Sequence, residues 1–372
     1  MRDGLLPQIG EPMFELHVLG TSSARFAHGR AVSGNFLMTP GGSILIDCGE
    51  GMQQRLLDQN RALRHAGSRM RARMAKVKAI LLTHGHLDHC WGLLPLLRTM
   101  ALDGRTEPLT IVGPTSTEAL KWVMDNPGES PPFDSDIDAC DLAILFHQWM
   151  SLGSKDEEFP YKIDWVLVPL EGEEPMTSPV QPLDGIELVI VPTKHGIPSC
   201  GWMAIHQRGV GKFDRAKADS LGLSKTQISS LASGEDVNHD GEVLVAADFR
   251  GEPRPPRSVM ISGDTVGGLS IFERLPATPD VLLHEATFLS DKQSKAGEYN
   301  HSTAHDAARH ALACQAGVLA LTHYSSRIED ESEVEREARE IFERSFACVE
   351  GDIFIVESDG EVALARRSSD WS

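Results

Sequence analysis

The sequence predicts an α/β fold in which two packed sheets are covered by helices. Short apolar runs bounded by glycine and aspartate recur along the 372-residue chain, and helix-periodic segments separate many of them. The same alternation resumes after a long polar interval. Because both halves supply strands and flanking helices, we expect one domain over residues 1–372 rather than two independent domains.

The first half opens as a sheet. Apolar runs predict strands over 14–19, 35–39, 43–47 and 77–83, and helical spacing predicts helices over 51–59, 91–100 and 117–124. Residues 128–182 are rich in proline, glycine and acids, and only 161–168 has a clear pattern. We expect this interval to be a variable excursion from the core.

The second half repeats the pattern. Strands are predicted over 186–192, 201–206, 258–262, 281–284 and 318–322, and helices over 306–316 and 333–346. Residues 352–356 and 361–366 are expected to form a closing hairpin around Asp359-Gly360.

The composition is that of an ordinary globular protein, with 41% hydrophobic and 24% charged residues. No apolar run approaches the roughly 18 residues of a membrane helix, and residues 1–12 lack the apolar run of a secretion signal. We therefore expect a soluble, cytoplasmic protein. The six cysteines lie far apart without a CxxC pair, which argues against both a disulfide scaffold and a cysteine zinc finger.

The charge is unevenly distributed. The chain carries a net −19, yet residues 55–78 hold eight basic residues against one acid, and residues 207–226 hold five against two. A polyanion needs only the contacting surface to be basic, so these segments are candidate phosphate-backbone contacts. The alternative is an amphipathic helix with a solvated basic face.

The most specific motif is Thr83-His84-Gly85-His86-Leu87-Asp88-His89. It follows the strand predicted over 77–83 and precedes a helix, so the turn can direct several side chains toward one point. Neutral imidazole and carboxylate suit zinc, and two adjacent ions need about this many ligands, with further ones from elsewhere. The motif therefore predicts a metal site.

The motif resembles that of the metallo-β-lactamase superfamily, which implies an αββα sandwich with a dinuclear metal site between two mixed sheets. The superfamily's later ligands correspond to His195, Asp264 and His323, each of which follows a predicted strand. The resemblance implies one ion held by His84, His86 and His195, a second held by Asp88, His89 and His323, and Asp264 bridging both. Zinc is the expected metal, although manganese, iron and cobalt accept similar ligands.

Motifs outside this set resemble the ribonuclease Z family more narrowly. They are LGTSSA at 19–24 with Arg30, DCGEG at 47–51, HGIPSCG at 195–201, SGDT at 262–265, HEAT at 284–287, HST at 301–303 and THYSSR at 322–327. The resemblance implies an endoribonuclease that removes the 3′ trailer from precursor tRNA and leaves a 3′ hydroxyl. It also implies a homodimer.

Two roles follow for acid–base residues. The leaving 3′ oxygen of a phosphodiester needs a proton, which His301 oriented by Glu285 could supply. The other interpretation of His301 is a helix-cap neighbour, because Ser302 or Thr303 would cap the helix that follows. The family's mechanism suggests that Asp88 is both a ligand and the acceptor of the nucleophile's proton.

Residues 207–242 resemble the substrate-binding arm of the family, and Lys212, Phe213 and Arg215 are its candidate tRNA contacts. The arm departs from the family pattern: Val210 replaces a proline, and a later Gly-Pro element is missing. The segment 61–73, with Arg69, Arg71 and Arg73, would reach the substrate backbone if it forms a loop on the active face. Alanine at these three positions should then weaken tRNA binding.

Two other functions stay open. The altered arm and the acidic charge favour a phosphodiesterase or sulfatase that acts on a small ester. A catalytically silent RNA-binding subunit is the third hypothesis, although degenerate relatives usually lose metal ligands, and all seven candidates are present here.

Overall fold

The computed structural model describes residues 12–68, 70–132, 134–151, 159–207, 211–252 and 255–366. The strands of this part of the chain are β1 (Phe14–Gly20), β2 (Gly34–Thr39), β3 (Gly42–Cys48), β4 (Val77–Leu81), β5 (Leu109–Thr115), β6 (Ile163–Pro169), β7 (Met176–Thr177), β8 (Ile186–Pro192), β9 (Cys200–His206), β10 (Val237–His239), β11 (Glu242–Leu244), β12 (Arg257–Ile261), β13 (Val281–Glu285), β14 (Val318–Thr322), β15 (Ser345–Ala347), β16 (Ile353–Val356) and β17 (Val362–Ala365).

The α-helices of the described residues are α1 (Met52–His65), α2 (Leu87–Cys90), α3 (Leu93–Leu102), α4 (Thr117–Asp125), α5 (Leu142–Ser151), α6 (Arg215–Ser220), α7 (Lys225–Ser233), α8 (Gln293–Glu298), α9 (Ala304–Ala313) and α10 (Glu331–Arg339). Short 3₁₀ turns lie at Met74–Lys76, Ala246–Phe249, Ser270–Glu273 and Ser290–Lys292. In this part of the chain, no helix has both the length and the apolar character that crossing a bilayer requires.

Two large mixed sheets form the body. One has the strand order β17-β16-β1-β2-β3-β4-β5-β6, and the other has the order β15-β14-β13-β12-β9-β8-β7. Strands β3 to β6 run parallel to one another, as do β12 to β15. The predicted closing hairpin is confirmed, since β16 and β17 pair in antiparallel fashion.

The core has three apolar layers. Side chains from both sheets, including Leu16, Leu81 and Ile261, form the central layer. A second layer joins the first sheet to α1, α3 and α5, and a third joins the second sheet to α9 and α10. This order of helix, sheet, sheet and helix confirms the predicted fold class.

The alternation of β4 explains why it belongs to two layers. Ala79 and Leu81 lie in the central layer, whereas Ile80 and the following Leu82 lie beneath the helices. Successive side chains of a strand point to opposite faces, so the continuous apolar stretch from Ala79 to Leu82 is buried on both sides. All four side chains are fully buried.

Residues His206–Arg257 form a separate compact unit. It contains α6, α7 and the β10–β11 hairpin, and Ala218, Leu231 and Phe249 lie in its small core. The predicted arm lies within this unit, but the unit ends at Arg257 and not at residue 242.

The helix predicted over 333–346 is too long. Helix α10 ends at Arg339, and Ser345–Ala347 forms the edge strand β15, parallel to β14. The apolar pair Ile341 and Phe342 continues the helical spacing, but pairing with the sheet supplies backbone hydrogen bonds that overrule local periodicity.

The interval 128–182 contains a helix that the sequence prediction missed. Helix α5 begins after Asp141, whose Oδ1 accepts the backbone N–H of Ala143 at 2.9 Å. Its side chains Leu142 and Leu145 pack against the first sheet. An aspartate before an apolar run was the available signal.

Candidate metal centre

The candidate site residues meet where strands of both sheets end. His84 lies just beyond β4, Asp264 just beyond β12 and His323 directly after β14, while Glu285 is the last residue of β13. The carboxyl ends of parallel strands lie at one edge of a sheet, so residues far apart in sequence converge. His195 reaches the same place from the turn after β8.

All seven predicted metal ligands lie in one cluster. Their ligand atoms form overlapping groups of three, within 4.8 Å of one another in each group: His84, His86 and His195; His84, His89 and Asp264; and Asp88, His89 and His323. His301 and Glu285 belong to two further groups beside them. Clusters of histidine and carboxylate with this proximity are typical of metal binding in this fold.

The distances divide the histidines into two sets. His86 Nδ1 lies 3.1 Å from His84 Nε2 and 3.0 Å from His195 Nε2. In the other set, His89 Nε2 and His323 Nε2 are 3.2 Å apart. One carboxylate contacts both.

That carboxylate belongs to Asp264. Its Oδ2 lies 3.5 Å from His195 Nε2, 3.4 Å from His89 Nε2 and 3.3 Å from His323 Nε2. The side chain is 3% exposed, so its charge faces the imidazoles rather than water. A carboxylate in this position can neutralise two cations.

The ring nitrogens that point away from the cluster are held by hydrogen bonds. His195 Nδ1 donates to the carbonyl of Asn300 at 2.9 Å, and His89 Nδ1 donates to Asp47 Oδ2 at 2.7 Å. When these rings are neutral, their Nε2 atoms are thereby left with lone pairs that face inward. Lone pairs directed at one another in a buried space are unfavourable without a cation, so the donor set fits a metal ion.

Asp47 is a functional residue that the sequence analysis did not assign. It is the penultimate residue of β3, has φ +62° and is buried. Its Oδ1 accepts the backbone N–H of Thr83 at 2.8 Å, and both oxygens contact the Thr83 hydroxyl. Thr83 Oγ1 in turn lies 3.0 Å from His84 Nδ1. One carboxylate therefore orients both His84 and His89.

The electrostatics of the cluster match metal binding. Burial and the neighbouring His89 lower the pKa of His84, and burial and His195 lower the pKa of His86 to about 4. Burial alone would raise the pKa of Asp264, but His323 and His89 hold it well below its ordinary value. Neutral imidazoles and ionised carboxylates are the forms that bind metals.

His89 is the exception. Burial lowers its pKa, but the carboxylates of Asp264, Asp47 and Asp88 outweigh burial and raise that pKa well above its ordinary value. Without a metal, a proton on His89 balances the surrounding negative charge. A cation bound at this position would displace that proton.

Glu285 and His301 form a hydrogen-bonded pair beside the cluster. Glu285 is fully buried, and its Oε1 accepts His301 Nδ1 at 2.9 Å and the backbone N–H of Thr265 at 2.8 Å. Its Oε2 accepts the hydroxyl of Thr287 at 2.6 Å. Burial would lower the pKa of His301, but Glu285 raises it to about 9. The imidazole is therefore protonated at neutral pH in the metal-free chain.

Two non-glycine residues with a left-handed backbone conformation shape this part of the site. Asn300 has φ +54°, and His323 has φ +62°. Asn300 presents its carbonyl to His195 while the next residue, His301, contacts Glu285. Non-glycine residues in this conformation cost about 1–3 kcal/mol and cluster at functional sites.

The basic segment 61–73 lies elsewhere. Arg61 is in α1, while Arg71 and Arg73 line a cavity of about 430 Å³ together with Ser43 and Lys76. Ser43 is at the start of β3, and Lys76 directly precedes β4.

This position corrects the expectation of a loop on the active face. Arg71 and Arg73 lie near the residue that precedes β4, whereas the metal-ligand cluster lies beyond the last residue of β4. The five residues of the strand, at about 3.3 Å each, separate these two ends. Charge along the chain does not specify at which end of a strand a segment lies. Arg69 lies outside the described residues.

The three arm candidates differ in their surroundings. Lys212 and Arg215 are exposed, and Arg215 Nε lies 2.9 Å from Asp219 Oδ1. Phe213 instead packs within the second unit, stacked on Phe249 with 6.2 Å between ring centroids. Phe213 therefore contributes to the small core of that unit.

Comparisons with known proteins agree with this geometry. The model of the beta-lactamase superfamily domain matches residues 43–124. A ribonuclease Z from Myxococcus xanthus is 31% identical over 334 residues, which span 89% of this chain and 94% of the relative. A ribonuclease Z from Natronomonas pharaonis is 32% identical over 339 residues, 90% of this chain and 95% of the relative.

A solved structure shares the fold. The short form of human tRNase Z superposes with a TM-score of 0.55 at 20% identity, covering 91% of this chain and 98% of that one. The two mixed sheets and the buried His/Asp cluster define a hydrolase of the metallo-β-lactamase superfamily. Within it, the chain belongs to the ribonuclease Z family.

Proposed function

We propose that this protein is a metal-dependent endoribonuclease that removes the 3′ trailer from precursor tRNA and leaves a 3′ hydroxyl. The observation that carries the proposal is the Glu285–His301 pair beside the cluster, with His301 Nδ1 3.8 Å from Asp264 Oδ2. A phosphodiester held at the cluster would therefore lie next to a proton donor. The family membership supports precursor tRNA as the substrate.

The ligand sets follow the two groups of histidines. His84, His86 and His195 would hold one ion, Asp88, His89 and His323 the second, and Asp264 would bridge them. Imidazole and carboxylate donors favour Zn²⁺. When bound, the two ions would supply Lewis-acid stabilisation of the phosphate and activate a water at neutral pH.

The chain's own residues would move the protons. His301 Nδ1 is occupied by Glu285, so Nε2 is the nitrogen that would protonate the leaving 3′ oxygen. Glu285 stabilises the imidazolium before transfer. Asp88 Oδ2 accepts the backbone N–H of Ala24 at 2.7 Å, and this carboxylate would take a proton from the attacking water.

The exposed Lys212 and Arg215 would contact the tRNA backbone. Alanine at both positions should weaken precursor binding and reduce its salt dependence, while Lys121→Ala on the exposed face of α4 serves as the control. We also propose a homodimer, which sedimentation of the metal-loaded protein would test.

The direct test is incubation of the Zn²⁺-loaded protein with a labelled precursor tRNA, alongside His301→Ala and Asp264→Ala. We expect cleavage that leaves a 3′ hydroxyl on the tRNA, with a loss of about 10²–10⁴-fold in His301→Ala. A chromogenic phosphodiester and a sulfate ester are assayed in parallel. If a small ester is hydrolysed but the precursor tRNA is not cleaved, the result would contradict the proposal and support the small-ester hydrolase.

A further inference from the structure

A pocket of about 290 Å³ opens beside His301. Its walls come from the loop after β1, from α8 and the residues that follow it, and from the loop after β14. Its lining includes Arg25, Lys295, Tyr299, His301, Ser326 and Arg327. None of these belongs to the metal-ligand set, and Arg25, Lys295 and Arg327 have no role in the proposed reaction.

The pocket concentrates positive charge. Among the residues that the structure describes, Arg25, Lys295 and Arg327 make no ion pair with a carboxylate. Arg25 Nη2 donates to the neutral hydroxyl of Ser326 at 3.3 Å, and Lys295 Nζ lies 5.7 Å from the ring centroid of Tyr299. Three cations without a carboxylate partner, gathered around one pocket, suit phosphate groups.

Tyr299 supplies an aromatic surface at the same place. It is 53% exposed, and its backbone N–H donates to the Lys295 carbonyl at 3.1 Å. It directly precedes Asn300, whose carbonyl holds His195, and lies two residues before His301. The backbone of Tyr299 is therefore held close to the reacting groups, and its ring lines the pocket. Exposed aromatic rings next to cations are the usual platform for a single-stranded base.

The direction of the strand follows from the chemistry. In the proposed reaction the bond between phosphorus and O3′ breaks, its electron pair stays on O3′, and that oxygen takes a proton from His301. Water supplies the new bond to phosphorus, and the phosphate remains on the trailer. The nucleotide beside His301 is consequently the one that retains the 3′ hydroxyl.

We propose that this pocket binds the last nucleotide of the tRNA product, with its base stacked on Tyr299 and the phosphates on its 5′ side bound by Arg25, Lys295 and Arg327. The inference rests on the proposed function, because it assigns the pocket by the role of His301. It identifies a single-stranded ribonucleotide as the ligand.

Stacking is tested with a coupling experiment on the full-length, Zn²⁺-loaded protein. The substrates are a precursor with an intact last tRNA nucleotide and the same precursor with an abasic residue there. Tyr299→Ala should lower kcat/KM for the intact precursor about tenfold, and Tyr299→Phe should restore it. On the abasic precursor, Tyr299→Ala and wild type should be equal. Leu312→Ala, an exposed apolar residue on α9, is the control.

The cations are tested by salt dependence. Arg327→Gln should weaken precursor binding and reduce the slope of log affinity against log salt by about 0.7, and Arg327→Lys should restore part of the slope. Lys162→Gln removes an equal charge from a side chain 72% exposed elsewhere and should leave the slope unchanged. Equal effects of Arg327→Gln and Lys162→Gln would overturn the phosphate contact.

The possible failures are distinguishable. In one failure, wild type cleaves the precursor that has its last nucleotide, but Tyr299→Ala lowers kcat/KM by the same factor on both precursors. The pocket assignment is then wrong, and the proposed function stands. If wild type leaves the intact precursor whole, the proposed function is wrong and the pocket assignment fails with it. The zinc content of each variant, measured by metal analysis, shows in either case whether the metal centre is intact.

Discussion

His301 Nδ1 lies 2.9 Å from Glu285 Oε1, and the two side chains differ sharply in exposure. Glu285 is 1% exposed, whereas His301 is 14% exposed and lines the pocket beside the cluster. A buried carboxylate thus holds a partly exposed imidazole in its protonated form. The proposed role of His301 as a general acid requires such a pairing with an orienting carboxylate.

Glu285→Gln should therefore shift the pH dependence of cleavage. Glu285 raises the pKa of His301 to about 9, so removal of its charge lowers that pKa. A proton donor works only below its pKa, hence the alkaline limb of the kcat profile should move to lower pH, with a loss of about 10²-fold at neutral pH. Glu333→Gln on the exposed side of α10 is the control. An unchanged alkaline limb would separate Glu285 from the proton donor.

Asp47→Asn should weaken metal binding. The amide cannot accept from both Thr83 and His89 as the carboxylate does, so the rings of His84 and His89 lose their orientation. We expect a loss of about 10–100-fold in metal affinity, measured by competition with a chelator. Asp141 is another buried carboxylate that accepts from a hydroxyl and from the backbone, and Asp141→Asn should retain full metal affinity. Equal affinities of the two variants would refute the orienting role.

Gly85→Ala should disrupt the metal centre by steric means. A Cβ at Gly85 would lie 1.8 Å from the carbonyl oxygen of Cys140, so the turn carrying His84 and His86 must move. We expect a loss of about 1–3 kcal/mol in the free energy of unfolding, together with loss of bound metal. Gly297→Ala in α8 meets open space and should leave both unchanged to within about 1 kcal/mol. Urea unfolding and metal analysis measure the two effects.

A second histidine pair should control acid stability. Leu269 N–H donates to His310 Nε2 at 3.0 Å, and His310 Nδ1 lies 2.9 Å from His284 Nε2. His284 Nδ1 then donates to the Glu285 carbonyl at 2.7 Å. All four ring nitrogens in this series of hydrogen bonds have a partner only when both imidazoles are neutral.

Burial, and then the neighbouring His284, lower the pKa of His310 to about 3. The unfolded chain takes up a proton near pH 6.5, whereas the folded one does not until about pH 3. The contribution of His310 to the free energy of unfolding is thus fully present above pH 6.5. It falls on acidification, by about 2 kcal/mol between pH 6.5 and pH 5. His310→Gln, which can accept from Leu269 and donate to His284, should remove this contribution from the metal-free protein.

His305→Gln on the same helix is the matched control and should keep the wild-type acid dependence. Urea unfolding at pH 5 and pH 7 provides the measurement. If His310→Gln loses as much stability between these pH values as wild type does, His310 is not the group responsible.

Much of the site could be predicted because its residues directly follow strands. His84, Asp264 and His323 each come after an apolar run, and strand ends in an α/β fold converge. Asp47 occupies a similar position in β3, but nothing in its local pattern indicates a contact with Thr83, which is 36 residues later. The contact exists because β3 and β4 lie side by side in the sheet.

The sequence by itself determined the layered α/β architecture and the ligand types, since strand periodicity and the HxHxDH spacing are local properties. Only the tertiary structure decided that Asp264 lies between the two histidine sets, that Arg71 and Arg73 lie away from them, and that Arg25 and Arg327 line one pocket with His301. The physical reason is that these relationships depend on which strands are neighbours and on how segments hundreds of residues apart pack. Local periodicity and charge do not encode either one.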